Sequence, residues 1–167
     1  MTETINACAG YTDCKVLATV NVHIVDADAR MPEVASTMLG TYGSAWTYSL
    51  AINDIYFDQL DAVLGQLKRK EVLNVSAGDG SAKAMARIVS GQSQQIGSIA
   101  EPLKLQGYQL ADELNRAFAG APPSGFKSKP IMVTVELLKT VGKHGVESNL
   151  GFESAYTSVW GKRFPAL

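Results

Sequence analysis

The sequence has little charge bias, few cysteines and no long apolar run, and each shortage removes a class of protein. Lys and Arg total 15 against 16 Asp and Glu, a formal net charge of −1 at pH 7. The densest basic cluster is Lys68-Arg69-Lys70, at the end of a predicted helix where cations suit the dipole, so the electrostatic footprint of a nucleic-acid binder is missing. Cys8 and Cys14 are the only cysteines. They are too few and wrongly spaced for a zinc site; oxidised they close a small loop, and otherwise they are free thiols. His23 and His144 stand isolated, without partners at metal-ligand spacing. No segment approaches the roughly 20 apolar residues that span a bilayer. The first residues, MTETINACAGYTD, show no basic stretch running into an apolar one, so the sequence as it stands predicts neither export nor an anchor. What is present is ordinary: 46% hydrophobic and 19% charged residues in a chain of 167, enough for one domain with a real core.

The stretch at 72–102, VLNVSAGDGSAKAMARIVSGQSQQIGSIAEP, organises the rest. The apolar residues Val72, Leu73 and Val75 predict a strand that enters the turn-forming cluster Gly78-Asp79-Gly80-Ser81. Glycine permits positive φ there, and Ser81 is placed to cap a helix beginning near Ala82. Ala84, Met85 and Ile88 recur at helical spacing, and Gly91 supplies the stop. A second strand follows at 96–100 and ends at Glu101-Pro102. A helical crossover is right-handed, which makes the two strands parallel and sends Asp79 and Glu101 out from carboxyl ends on one edge of one sheet. Ligands of open α/β sheets bind at that edge.

Elsewhere the pattern repeats. Residues 1–9 read as the last turns of a helix with Ile5 as its apolar contact. KVLATV at 15–20 predicts a strand buried on both faces, with Asn21 and His23 at its carboxyl end. A loop at 26–30 leads to a helix whose first turn holds Pro32 and which turns Val34, Met38 and Leu39 inward. TYSLAI at 47–52 predicts a strand, Asn53-Asp54 its turn, and 55–67 a helix with Leu60, Val63, Leu64 and Leu67 on one stripe. A helix at 105–120 carries Leu110, Leu114, Ala117 and Phe118 along one face, and APPSG at 121–125 breaks it. IMVTVEL at 131–137 predicts a final strand, 142–151 a loop, and Phe152, Tyr156 and Trp160 a stripe suited to core packing. The fold class is therefore α/β, three-layer α/β/α with a mainly parallel sheet.

Successive βα turns thus place Asn53-Asp54, Asp79 and Glu101 on one sheet edge. A carboxylate accepts hydrogen bonds from adjacent hydroxyls and an asparagine amide both donates and accepts, a set that matches a sugar or polyol. Singly, Asn53 and Asp79 read as turn and capping residues; their convergence with Glu101 favours ligand binding. Other chemistries fit less well. Asp79 and Glu101 as a glycosidase pair would need a set separation and one raised pKa. Gly78-Asp79-Gly80 is no dinucleotide fingerprint, since Lys83 holds the third glycine position, and no GK[ST] follows for a P-loop. Asp54 lacks the acidic cluster that would hold magnesium for a phosphoacceptor. No enzyme, cofactor or metal is expected.

The runs KVLATVN, SLAINDIYFDQLDAVL, VLNVSAGDGSAKAMARIVSG, IGSIAEPLKLQGYQLADELNRAFAG and KPIMVTVELL together resemble, in order and spacing, the carboxy-terminal half of type I periplasmic sugar-binding proteins. These are the ribose-binding-like receptors of ABC importers, in which two α/β lobes close on a sugar. The resemblance implies that Asn53, after the family's (A/Q)-N-D strand, and Asp79, in its G-x-D-G turn, hydrogen-bond sugar hydroxyls; Ala77 replaces the first glycine of that turn. Glu101 stands where the family commonly has the glutamine of an A-Q-P hinge motif, which keeps the position polar and changes its charge. It further implies a periplasmic setting, or a cytoplasmic one if Met1 is the native start, and an importer permease as partner. The amino-terminal lobe and the first strand of the second lobe have no counterpart, the pattern of a truncated receptor. Residues 102–125 would cross to that other lobe, which leaves Leu110, Leu114 and Phe118 exposed unless a second copy or a separate partner lobe covers them. The alternative is a sugar-sensing regulatory or interaction domain of the same fold that assembles as a dimer, as in repressors of the lactose-repressor type.

Overall fold

The computed structural model describes residues 2–7, 14–142 and 145–163. Cys8 and His144 lie outside them, and with Cys8 the matter of its pairing to Cys14. The elements run α1 (Thr2–Asn6), α2 (Ala27–Tyr42), β1 (Tyr48–Ala51), α3 (Tyr56–Gln66), β2 (Leu73–Ser76), α4 (Ala82–Ser90), β3 (Gln95–Ala100), α5 (Leu103–Phe118), β4 (Ile131–Val133), α6 (Val135–Val141) and α7 (Phe152–Arg163). The strands form a four-stranded sheet in the order β1-β2-β3-β4. β1, β2 and β3 are parallel and β4 is antiparallel to β3, the α/β class with a mainly parallel sheet. Among the described residues no helix is long and apolar enough to cross a membrane.

The central unit β2–α4–β3 forms as its residues dictate. Ser81 adopts extended backbone angles and its Oγ accepts from the Ala84 N–H at 3.2 Å, which starts α4. Gly91, at φ +63°, ends it in the left-handed conformation. Ala84 and Ile88 are buried, and Met85 packs beside Ile88.

Three expectations are corrected. Residues 15–20 form no strand. A strand needs a ladder, and here tyrosine hydroxyls take the carbonyls: Tyr42 Oη donates to Leu17 O at 2.9 Å and Tyr56 Oη to Val22 O at 2.8 Å. Leu17 and Val22 still reach the apolar core beside α2 and α3, so burial survives without pairing. Pro32 lies inside α2 rather than in its first turn, and 27–30 are helical. Ala27, Met31 and Ala35, four residues apart, are buried in the same core, and burial of that stripe carries the helix a turn ahead of the proline. The strand at 131–137 stops at Val133. Thr134 Oγ1 accepts from the Leu137 N–H at 3.3 Å and caps α6, whose Val135 and Leu138 pack against Ile88 and Val133. A smaller correction is Leu67, which follows the end of α3 and is exposed, while Leu60 and Leu64 are buried.

The sheet has two unlike faces. Right-handed crossovers that advance in one direction put α3 and α4 on the same side; α2 packs on α3, and α6 on α4. Strand alternation then turns Asn74 and Ser76 toward these helices, and a register shift at the start of β3, which skips Ile96, brings Gln95 to the same side as Ser98; all four are buried. The register places Tyr48, Leu50, Leu73, Val75, Ile99 and Met132 on the opposite face. The helix-facing side mixes these polar residues with the buried Ala100 and Val133, and the far side is apolar.

Candidate functional site

Because β1, β2 and β3 are parallel neighbours, the turns that follow them adjoin at one edge. Asn53 leaves β1 with its side chain serving both neighbours. Its Oδ1 accepts from the Ile55 N–H at 3.0 Å, an Asx turn into α3, and its Nδ2 donates to Asp79 Oδ1 in the next turn. Asp79 is exposed. The amide and the carboxylate therefore meet across two strand ends, each with hydrogen-bonding capacity left for a ligand.

Glycines make that approach close. A Cβ on Gly78 would lie 2.8 Å from both Asn53 Cα and Asp54 N, inside any ordinary contact. One on Gly80, at φ +69°, would meet Ala100 Cβ at 2.7 Å and Met85 Cε at 2.6 Å. The first glycine seats the 78–81 turn on the end of β1 and the second seats it on the end of β3. Glu101 thus stands on the same edge as Asn53 and Asp79. Its carboxylate, however, accepts from Gln106 Nε2 at 2.6 Å, which turns it along α5 rather than toward them. The structure joins Asn53 to Asp79 and leaves Glu101 beside the pair.

Beneath the pair lies a buried polar network that sequence reading missed. Asp54, fully buried, accepts from Ser76 Oγ, from Gln95 Nε2 at 2.9 Å and from the Ser81 N–H at 3.0 Å. Burial alone would raise its pKa; the hydrogen bonds from Ser76, Ser81, Gln95 and Ser98 together outweigh it and hold the carboxyl below the usual range. Asp54 is thus an anion that ties the ends of β1, β2 and β3 together. Arg87 of α4 extends the network: its guanidinium donates to Gln95 Oε1 at 2.9 Å and to the Asp54 carbonyl at 3.3 Å, and pairs with Asp58 of α3. Deeper in, Asn74 Nδ2 donates to Asp61 Oδ1 at 2.7 Å. The signal that could have found part of this set is the alternation of Asn74 with Ser76 in a strand whose helix-facing side should be apolar; Gln95 and Ser98, three residues apart, share a side only through the register shift in β3.

A half-open cleft of about 520 Å³ lies against the start of α5, where Glu147 accepts from the Lys104 and Leu105 N–H groups, and none of Asn53, Asp79 and Glu101 lines it. Among the described residues no His, Cys, Asp and Glu cluster could hold a metal ion.

No protein-family model matches the sequence, and no curated protein does. Solved structures do match in fold. An ABC transporter solute-binding protein from Agrobacterium vitis, solved with bound allitol, is similar over 80% of this chain and 46% of its own, at a TM-score of 0.59 and 15% identity. An ABC sugar transporter subunit from Rhodobacter sphaeroides is similar over 75% of this chain and 44% of its own, at a TM-score of 0.57 and 16% identity. The chain spans less than half the length of either, so what it shares with them is the fold of part of those chains.

Proposed function

We propose that this chain is a ligand-binding lobe for sugars or polyols, of the kind that serves an ABC importer in the periplasm, with Asn53, Asp79 and Glu101 as its hydroxyl-binding groups. The observation that carries the reading is the Asn53–Asp79 contact, which sets an amide beside a carboxylate at the carboxyl ends of adjacent parallel strands. Vicinal hydroxyls can donate to the carboxylate while the amide both donates and accepts, so a polyol leaves none of these groups unpaired. A site at this edge is also where open α/β sheets take ligands. Residues 102–125 would be the segment that crosses toward a second lobe, consistent with the exposure of Leu110, Leu114 and Phe118.

One lobe offers one wall of a site, so the chain alone should bind weakly. Amide NMR spectra of the full chain, titrated with allitol, ribose, xylitol and glucose, test this. Saturable millimolar shifts confined to Asn53, 78–81 and Glu101, and lost in both Asn53→Ala and Asp79→Ala, are the expected result. Shifts that survive both substitutions, or no shift at that edge with any of the four, would overturn the assignment.

A further inference from the structure

Two uncovered apolar surfaces on this chain are complementary in kind. The first is the sheet face opposite α3 and α4, where Tyr48 is 65% exposed, Leu50 46% and Met132 68%, with Ile52 and Ile96 exposed at its margins. None of the residues that the register places on this face is charged, so covering it desolvates no ion. The second is a stripe on α5: Leu103, Leu110, Leu114 and Phe118 fall on one face at helical spacing, and all four are exposed, Phe118 at 86%. The other side of α5 is already engaged, since Tyr108 packs against Phe152, Tyr156 and Trp160 of α7 with ring centroids 5.3 to 5.6 Å apart. Among the described residues, then, no helix covers the apolar sheet face and no surface covers the α5 stripe.

We infer that a second copy of this chain supplies both, each copy laying the Leu103–Phe118 stripe of α5 on the open sheet face of the other. A reciprocal exchange of this kind closes with two-fold symmetry and leaves neither surface to solvent. Each surface alone is of the roughly 300–600 Å² size that a monomer can leave in one apolar patch, whereas the two together approach the roughly 800 Å² that one partner contributes to a standard interface. The inference uses none of the edge residues, but on α5 it sets a second copy where the solute-binding reading sets a second lobe, so a second lobe found on the stripe of Leu110, Leu114 and Phe118 would exclude it.

Sedimentation equilibrium of the full chain tests it, with Phe118→Glu on the helix and Leu50→Lys on the sheet. Both positions are exposed, and circular dichroism checks that each variant folds; Leu114→Glu and Met132→Lys replace either that does not. The wild type should be a dimer at micromolar concentration, and each variant alone should raise the dissociation constant at least about 30-fold. Mixing the two variants should restore association, because a mixed pair keeps one intact helix-on-sheet contact that neither variant retains by itself. A wild-type monomer throughout the range would overturn the inference. So would a dimer that tolerates one of the two variants, since helix-to-helix or sheet-to-sheet pairing gives that result.

Discussion

Asp54 is the residue on which the edge depends, through chemistry the adjoining Asn53 does not share. Asp54→Ala leaves the donors of Ser76, Ser81 and Gln95 without their acceptor and should cost about 3 kcal/mol in denaturant unfolding. Its pH dependence has a definite sign. A carboxyl whose folded pKa lies below its unfolded value contributes stability that is fully present above the unfolded pKa and is lost as pH falls through the folded one. The stability gap between wild type and Asp54→Asn should therefore be constant near neutral pH and shrink once acid passes below about pH 4. A gap that widened on acidification would contradict the hydrogen-bonded anion. Gly78 acts by absence of a side chain: Gly78→Ala places a methyl 2.8 Å from the Asn53 backbone, and the turn must move away. A loss of about 1–3 kcal/mol, together with loss of the Asn53–Asp79 contact in NMR spectra, is the expected outcome.

At the level of elements, caps decide boundaries that hydrophobic pattern leaves open. Ser81 and Thr134 each accept a backbone N–H three residues on, and each marks a strand-to-helix change. Ser81→Ala should cost about 1 kcal/mol and Ser81→Gly only a few tenths, measured by urea denaturation; equal losses would point away from the cap. The Ser81 turn was legible because glycines punctuate it. Thr134 was not, since IMVTVEL reads equally as one strand, and only the contact of Val135 and Leu138 with Ile88 and Val133 selects the helix. The segment at 15–20 shows the converse: strong strand propensity yields no strand when no neighbour offers a ladder, and the Leu17 carbonyl accepts from the Tyr42 hydroxyl instead.

For the whole molecule, the distribution of apolar surface is the governing fact. Buried residues gather between α2, α3 and the helix-facing side of β1, and in a second group around Ile88, Ala100 and Val133. The far face of the sheet and one stripe of α5 remain open. If copies exchange these surfaces, folding is coupled to association, and the thermal midpoint should rise with protein concentration. A midpoint that does not move over a hundredfold dilution would mean the monomer is the folding unit.

The sequence by itself determined the βαβ order, the parallel pairing of β1, β2 and β3, and the convergence of Asn53, Asp79 and Glu101 on one edge. These follow from local turn chemistry and from the handedness of crossovers, which act over a few tens of residues. Only the tertiary structure decided that Asn53 and Asp79 touch while Glu101 turns to Gln106, and that Asp54 is a buried anchor rather than a surface turn residue. It also decided which face of the sheet the helices cover. Those outcomes depend on what lies across a strand or beneath a turn, and period-two alternation states that two faces differ without saying which of them meets a helix.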